Sequence, residues 1–374
     1  MLNDLEKLLV ISADFAHAPI ELRERFAFGD ADPHPAALLA RMPGIAEALW
    51  FESCDRVEAV FLAHRESEAL AALADLLWQH ALVDIHSQEQ TFVTFRGSGA
   101  IQHLVGTLCG LDTGFPNSLH LRSAFRESWR QSWESGGVQE RLHRLCQSVT
   151  AMAAAITPDI PMRLAMRTAA KPCGACVRAF TGVATEAALT ILHRQFGNLS
   201  GRRALVMGAG PLATMLAEDL RAEGVELAIA DAYPPLGREL ANEVRGRWVM
   251  LGRLRDECRK NDLLIVAAPS RRHLFTAEDM VAGGKDFRTR VMLDFAFPRA
   301  IDPEVSEWGV SVFNVDEIAR ISQTVNAERR STEIRRSVDQ VLESALRPEG
   351  PRAQSQLVAL ARDSSAPSAK IGAV

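Results

Sequence analysis

The stretch Arg203-Ala204-Leu205-Val206-Met207-Gly208-Ala209-Gly210-Pro211-Leu212-Ala213 constrains this chain more than any other. Five residues with the composition of a buried strand run straight into G-x-G-x-x-A, and a helical pattern continues to Glu223. Gly208 permits the tight turn, Gly210 lets a pyrophosphate approach the helix N-terminus, and Ala213 closes the motif. The next strand, 226 to 230, ends at Asp231, 21 residues after Gly210. A carboxylate there can accept a hydrogen bond from the ribose 2′-OH of a dinucleotide. The alternative is a helix-packing glycine turn with no cofactor. Apolar strands at 262–267, 291–295 and 310–315 extend the pattern, so 200–318 is expected to be a doubly wound, Rossmann-type NAD(P)-binding domain.

Upstream, strands and helices alternate differently. Residues 7–15, 46–51, 57–62 and 91–96 read as strands; 19–26, 33–41 and 66–80 read as helices. This predicts an N-terminal α+β domain with an antiparallel sheet, spanning 1–156 and closed by a helical stretch from Gly99. A linker helix region at 157–199 follows. Beyond the Rossmann-type domain, Glu317 to Leu346 reads as one long helix, assigned as a connecting helix over 319–346, and 347–374 as a disordered Pro/Ser/Ala-rich tail. The fold class is thus α/β and multidomain.

Hydrophobic content of 47% with 24% charged residues fits a soluble globular protein, and no run approaches membrane-spanning length. The net charge of −5 argues against a protein held on DNA or RNA by bulk electrostatics. Five arginines between 122 and 144 read as a solvated helix face. Acids precede the first apolar run, unlike a signal peptide, and six scattered cysteines form no secreted disulfide framework, so cytosol is the simplest compartment. Cys173 and Cys176 make a single CxxC without two further ligands at readable spacing, and no metal is expected.

One cysteine stands apart. In Glu52-Ser53-Cys54-Asp55-Arg56-Val57-Glu58, Cys54 sits at a corner between two strands, where a side chain can face a cleft. A thiol is nucleophilic as thiolate, and Arg56 is expected to lower its pKa. The alternative is a buried structural cysteine.

Several motifs together resemble the glutamyl-tRNA reductase family, collinearly over about 7–345. Ala18-Pro19-Ile20-Glu21-Leu22-Arg23-Glu24 is similar to its A-P-v-e-x-R-E, and Ser53-Cys54-Asp55-Arg56-Val57-Glu58 to its T-C-N-R-T-E. His103-Leu104 with Gly110-Leu111-Asp112-Thr113 resembles H-L…G-L-D-S. The run from Leu293 to Asp302 resembles i-D-i-A-v-P-R-d-I-d, and Asn314-Val315-Asp316 continues the match. The resemblance implies a catalytic domain, a nicotinamide-binding domain and a dimerisation domain along one spinal helix. It implies attack of the cysteine on the ester of glutamyl-tRNA and reduction of the thioester by NADPH to glutamate-1-semialdehyde, for tetrapyrrole synthesis. Cys54 would then be the nucleophile and His103 would assist proton transfer at the leaving oxygen. Arg56 would hold the substrate carboxylate, with Glu58 and Thr113 as further substrate contacts. Glutamyl-tRNA or another acyl donor, and an aminomutase or other pathway enzyme, are the implied partners.

The chain departs from the family in several places. Asn117-Ser118-Leu119-His120-Leu121 stands where the family has G-E-x-Q-I. Met166-Arg167-Thr168-Ala169-Ala170-Lys171-Pro172 lacks the acid of V-R-T-E-T-x-I, and no dimerisation domain follows the last helix. Ala230-Asp231-Ala232-Tyr233 replaces A-N-R-T, whose arginine faces the 2′-phosphate. Asp231 therefore favours NADH where the family uses NADPH, although Arg238 is near enough in sequence to reach a phosphate. Two other readings stay open: an acyl-thioester reductase of a specialised pathway, and a non-catalytic, cofactor-binding or regulatory paralogue.

Overall fold

The structure is a computed structural model and describes residues 6–29, 31–82, 91–115, 120–157, 174–258, 260–270, 272–279, 290–323 and 327–346. Two sheets organise it. The first unit contains β1 (Leu8–Asp14), α1 (Ile20–Phe26), α2 (Pro35–Leu39), β2 (Ile45–Ser53), β3 (Arg56–Ala63), α3 (Glu66–Ala81) and β4 (Val93–Arg96). Helices α4 (Gly97–Leu108), α5 (His120–Glu134) and α6 (Glu140–Ile156) complete it. Its sheet is antiparallel, in the order β2-β3-β1-β4. Side chains alternate across a strand, so Val60 and Leu62 of β3 face α4–α6, while Val57, Ala59 and Phe61 face α1–α3. Arg56 and Glu58 share the parity of Val60 and fall under α4, a consequence important for the site.

Helix α7 (Gly174–Phe196) leads into β5 (Arg203–Met207), α8 (Pro211–Ala222), β6 (Glu226–Ala230), α9 (Pro234–Glu243), β7 (Arg247–Val249), α10 (Leu254–Cys258), β8 (Leu263–Val266), β9 (Val291–Asp294) and β10 (Ser311–Phe313). The sheet is parallel, in the order β10-β9-β8-β5-β6-β7. That is the doubly wound arrangement, with the order reversing beside β5. Both of its faces are covered by apolar clusters, so its strands read as continuous apolar runs.

The helix expected from Glu317 to Leu346 is described in two stretches, α11 (Val315–Gln323) and α12 (Ala327–Leu346), and residues 324–326 between them lie outside the described residues. Helix α11 packs on α7, whereas α12 packs back on α4 and α6 of the first unit. The physical reason is its apolar stripe. Ile334, Val338 and Leu342, spaced by four residues, are buried in the cluster of the first unit. Gln102 to Asp339 (2.8 Å) and Arg335 to Asp112 (2.5 Å) add polar contacts. The Met166–Pro172 segment, Cys173, residues 117–119 and the 347–374 tail lie outside the described residues. Among the described residues, no helix is long and apolar enough to cross a membrane, and no group of three or more His, Cys, Asp and Glu is placed to hold a metal ion.

Candidate active site

Strands β2 and β3 are joined by two residues, Cys54 and Asp55, with Ser53 paired to Arg56. The turn projects Cys54 towards the other unit. There it is half-buried and lines a cavity of about 390 Å³ with Ser128, Leu212, Pro269, Phe295 and Phe297. Leu212 is in the first turn of α8, and Pro269, Phe295 and Phe297 follow the C-terminal ends of β8 and β9. Ligands of open α/β sheets bind at that end.

Asp55 ties the turn down. Its Oδ1 accepts from Ser53 Oγ (2.9 Å) and Arg56 Nε (3.3 Å); its Oδ2 accepts from Thr113 Oγ1 (2.6 Å) and Gly114 N (3.1 Å). Burial pushes the Cys54 thiol well above the usual range, and the adjacent Asp55 carboxylate adds to this; Arg23 opposes both. The expectation that Arg56 activates the thiol is thus corrected: the cation beside Cys54 is Arg23. Its Nη2 donates to the Cys54 carbonyl (2.9 Å) and to Asp316 Oδ1 (2.6 Å), and Nη1 donates to Ala18 O (2.7 Å) and Asp316 Oδ2 (3.1 Å).

Arg56 lies on the other side of the hairpin, fully buried because its parity places it under α4. Its Nη1 donates to Glu58 Oε1 (3.0 Å) and Thr107 Oγ1 (3.0 Å), and Nη2 to the Asp112 carbonyl. His103, one turn before Thr107, places Nε2 2.8 Å from the same Glu58 oxygen and stacks on Phe95. Ser12 Oγ also donates to Glu58 Oε1 (2.8 Å). Arg56 and Glu58 line neither cavity beside the hairpin, so this arrangement offers neither to a substrate. His103 and Thr113 line a separate cavity of about 690 Å³ beneath α12, with Asp14, Asp112 and Arg335. His103 lines the cavity beneath α12 and not the one that Cys54 lines.

This layer sets an acid limit on the fold. Burial works against the Glu58 carboxylate, but His103 and Arg56 outweigh it and hold its pKa at about 2, below its ordinary 4.5. A depressed carboxylate pKa stabilises the folded state above the unfolded value, and that stability is lost as pH falls through the folded value. Chemical denaturation should therefore show stability falling between about pH 4.5 and 2. Glu58→Gln should flatten that fall and lower stability at neutral pH. Identical pH profiles would contradict the assignment.

At the nucleotide end, Gly208 has φ +112°, and a Cβ there would meet the Ala267 carbonyl oxygen at 2.6 Å, so only glycine fits. A Cβ on Gly210 would meet nothing within 4 Å, which leaves the N-terminus of α8 open to a ligand. Ala213 is fully buried in the cluster joining α8 to the sheet. Asp231 follows β6, accepts from Tyr233 N (2.6 Å) and lines a cavity of about 600 Å³ with Gly208. These residues fit a dinucleotide. Two cations that the sequence did not single out, Arg255 and Arg272, line the same cavity. Arg238 does not: its guanidinium lies 4.4 Å from the Trp248 ring centre.

Two family models match the chain: "Glutamyl-tRNAGlu reductase, N-terminal domain" over residues 11–159, and "Shikimate / quinate 5-dehydrogenase" over 190–321. The glutamyl-tRNA reductase of Deinococcus radiodurans is 27% identical over 334 residues, covering 86% of this chain and 87% of that one. The glutamyl-tRNA reductase of Alcanivorax borkumensis is 27% identical over 373 residues, covering 95% and 82%. The chain is similar to glutamyl-tRNA reductases over most of its length. Among solved structures, glutamyl-tRNA reductase from Methanopyrus kandleri aligns with a TM-score of 0.42 at 20% identity, covering 95% of this chain and 81% of that one.

Several family-like motifs that are distant in sequence meet at the join between the units. Arg23 of the first motif holds Asp316 of Asn314-Val315-Asp316. Glu24 accepts from Arg299 Nη2 at 2.7 Å and from Arg299 N at 2.6 Å. Asp294 accepts from the backbone N–H groups of Ala296, Ala300 and Ile301, which shapes the loop that carries Arg299. Spacing alone gave no sign of these pairings, since Arg23 and Asp316 are 293 residues apart.

Proposed function

We propose that this chain is a glutamyl-tRNA reductase: it takes the glutamyl group from tRNA onto Cys54 and releases it as glutamate-1-semialdehyde, a tetrapyrrole precursor. The observation that carries this reading is the position of Cys54, which opens onto the loops after β8 and β9 of the nucleotide-binding sheet. The Cys54 sulfur attacks the ester carbonyl, the carbon–oxygen bond to ribose breaks, and the ribose oxygen leaves with a proton. A nicotinamide dinucleotide, held by the Gly208–Gly210 turn and Asp231, would supply a hydride. The thioester carbonyl carbon receives it, the carbon–sulfur bond breaks, and the thiolate returns with the aldehyde released.

The chain's own residues position this chemistry. Arg23 fixes the Cys54 carbonyl and is the cation that favours thiolate. Asp55 with Thr113 holds the turn, and the Arg56–Glu58–His103 layer braces it from the opposite side. Because burial disfavours the thiolate, the proton leaves Cys54 as the acyl ester approaches rather than beforehand. Incubating the protein with glutamyl-tRNA and either reduced nicotinamide, then trapping aldehyde with a hydrazine, tests the reading. Glutamate-1-semialdehyde is the expected product. Tight dinucleotide binding without aldehyde would favour a non-catalytic paralogue.

For the dinucleotide, Asp231 favours a free 2′-OH and repels a 2′-phosphate, whereas Arg255 and Arg272 are the cavity's cations. A charge-assisted hydrogen bond contributes about 1.5–3 kcal/mol, so NADH should bind about tenfold or more tighter than NADPH. Asp231→Asn with Ala232→Arg should move the preference towards NADPH. Fluorescence titration of both dinucleotides decides this. Tighter NADPH binding by the wild type, lost in Arg272→Ala, would show that this cation overrides Asp231.

A further inference from the structure

Most arginines of the first unit have acidic partners. On α5 and α6, Arg130 meets Glu127 and Glu134, Arg141 meets Glu47, and Arg144 meets Glu140. The opposite situation holds at the N-terminal edge of the parallel sheet. Arg203 at the start of β5, Arg221 in the last turn of α8, Arg245 after α9, Arg247 at the start of β7 and Lys260 before β8 all line one cavity of about 630 Å³. Arg247 and Lys260 share one carboxylate, Glu257, at 2.5 and 3.0 Å. Arg203, Arg221 and Arg245 have no acidic partner within 4 Å among the described residues, and Glu226 is the one acid lining the cavity.

A cation in the last turn of α8 complements the helix dipole, which accounts for Arg221 alone. It does not account for Arg203 on a strand, nor for Arg245, which holds a left-handed φ of 52° where glycine would cost less. Three unpaired guanidinium groups facing one cavity, in a chain of net charge −5, concentrate positive potential against the overall sign. The dinucleotide does not explain it, because Gly208 and Asp231 lie at the opposite, C-terminal ends of the same strands. Guanidinium forks match phosphate oxygens, and four of the five cations are exposed at the rim, where a backbone can run past.

We infer that this edge of the sheet is a contact site for RNA backbone phosphates, and that it holds the body of the tRNA while its acceptor end reaches Cys54. The inference rests on the glutamyl-tRNA reading above.

The test is fluorescence anisotropy of labelled deacylated tRNA on the full chain, at several salt concentrations. Arg221→Glu with Arg245→Glu should weaken binding about tenfold or more and make the salt slope shallower by about two, one per lost phosphate contact. The milder Arg221→Gln with Arg245→Gln should move both readouts the same way, and Glu226→Gln should tighten binding. Acyl transfer to Cys54 from glutamyl-tRNA should slow at low tRNA and recover at saturation. If wild type binds tRNA and acylates Cys54 while all three variants bind as wild type does, this inference is overturned and the proposed function stands. If wild type neither binds tRNA nor acylates, both fall. Displacement of tRNA by micromolar inorganic pyrophosphate would overturn it in favour of a small-phosphate site.

Discussion

Cys54→Ser should lower aldehyde formation from glutamyl-tRNA on the order of 10⁴-fold or more, the scale on which an enzyme loses a covalent nucleophile. A serine hydroxyl needs an adjacent general base, and the charged groups acting on this position are Asp55, Arg23 and Asp316. Asp55 is already occupied by Ser53, Arg56, Thr113 and Gly114. The substitution is nearly isosteric in a half-buried turn, so thermal unfolding should change little. Rapid-quench assays of wild type and variant, with tRNA saturating, provide the comparison. Retention of more than a tenth of the wild-type rate would remove Cys54 from the reaction.

Arg23→Ala should be the most destabilising single change at the join between the units. It leaves the buried Asp316 carboxylate without its forked partner, and breaking such a pair from one side costs about 3–5 kcal/mol. It also removes the donor that holds the Cys54 carbonyl. The paired change Arg23→Met with Asp316→Leu separates the two effects. Replacing a buried pair with apolar residues of similar volume is often neutral for stability. That double variant should thus recover most of the denaturation midpoint while still acylating slowly. Recovery of both stability and acylation would reduce Arg23 to a purely structural role.

What could be read in the chain beforehand follows the range of the forces involved. The strands of both sheets except the edge strand β7, which was not expected, the glycine turn at Gly208 and the corner at Cys54 are local patterns, and each stands close to its expected position. The parallel order follows from strand–helix alternation. The partners of Arg56 were not legible. Closeness to Cys54 in sequence suggested that it acts on the thiol, but Cys54 sits in the turn, outside the alternation that fixes the face of Arg56 on β3. Arg56 went under α4 and left the thiol to Arg23, 31 residues away. The packing of α12 was not legible for a related reason. Its Ile334, Val338 and Leu342 stripe was visible, but the surface that covers it comes from α4 and α6. Arg255 and Arg272 were overlooked because they enter the Asp231 cavity from separate segments, Arg255 from α10 and Arg272 from beyond β8.

Acid-quenched peptide mapping by mass spectrometry, after mixing the protein with isotope-labelled glutamyl-tRNA in the absence of any nucleotide, tests the central claim most directly. The account predicts a glutamyl adduct on the peptide carrying Cys54, discharged as aldehyde when reduced nicotinamide dinucleotide is added. Aldehyde production with no adduct, or with the adduct on Cys109, Cys146 or Cys258, would contradict it.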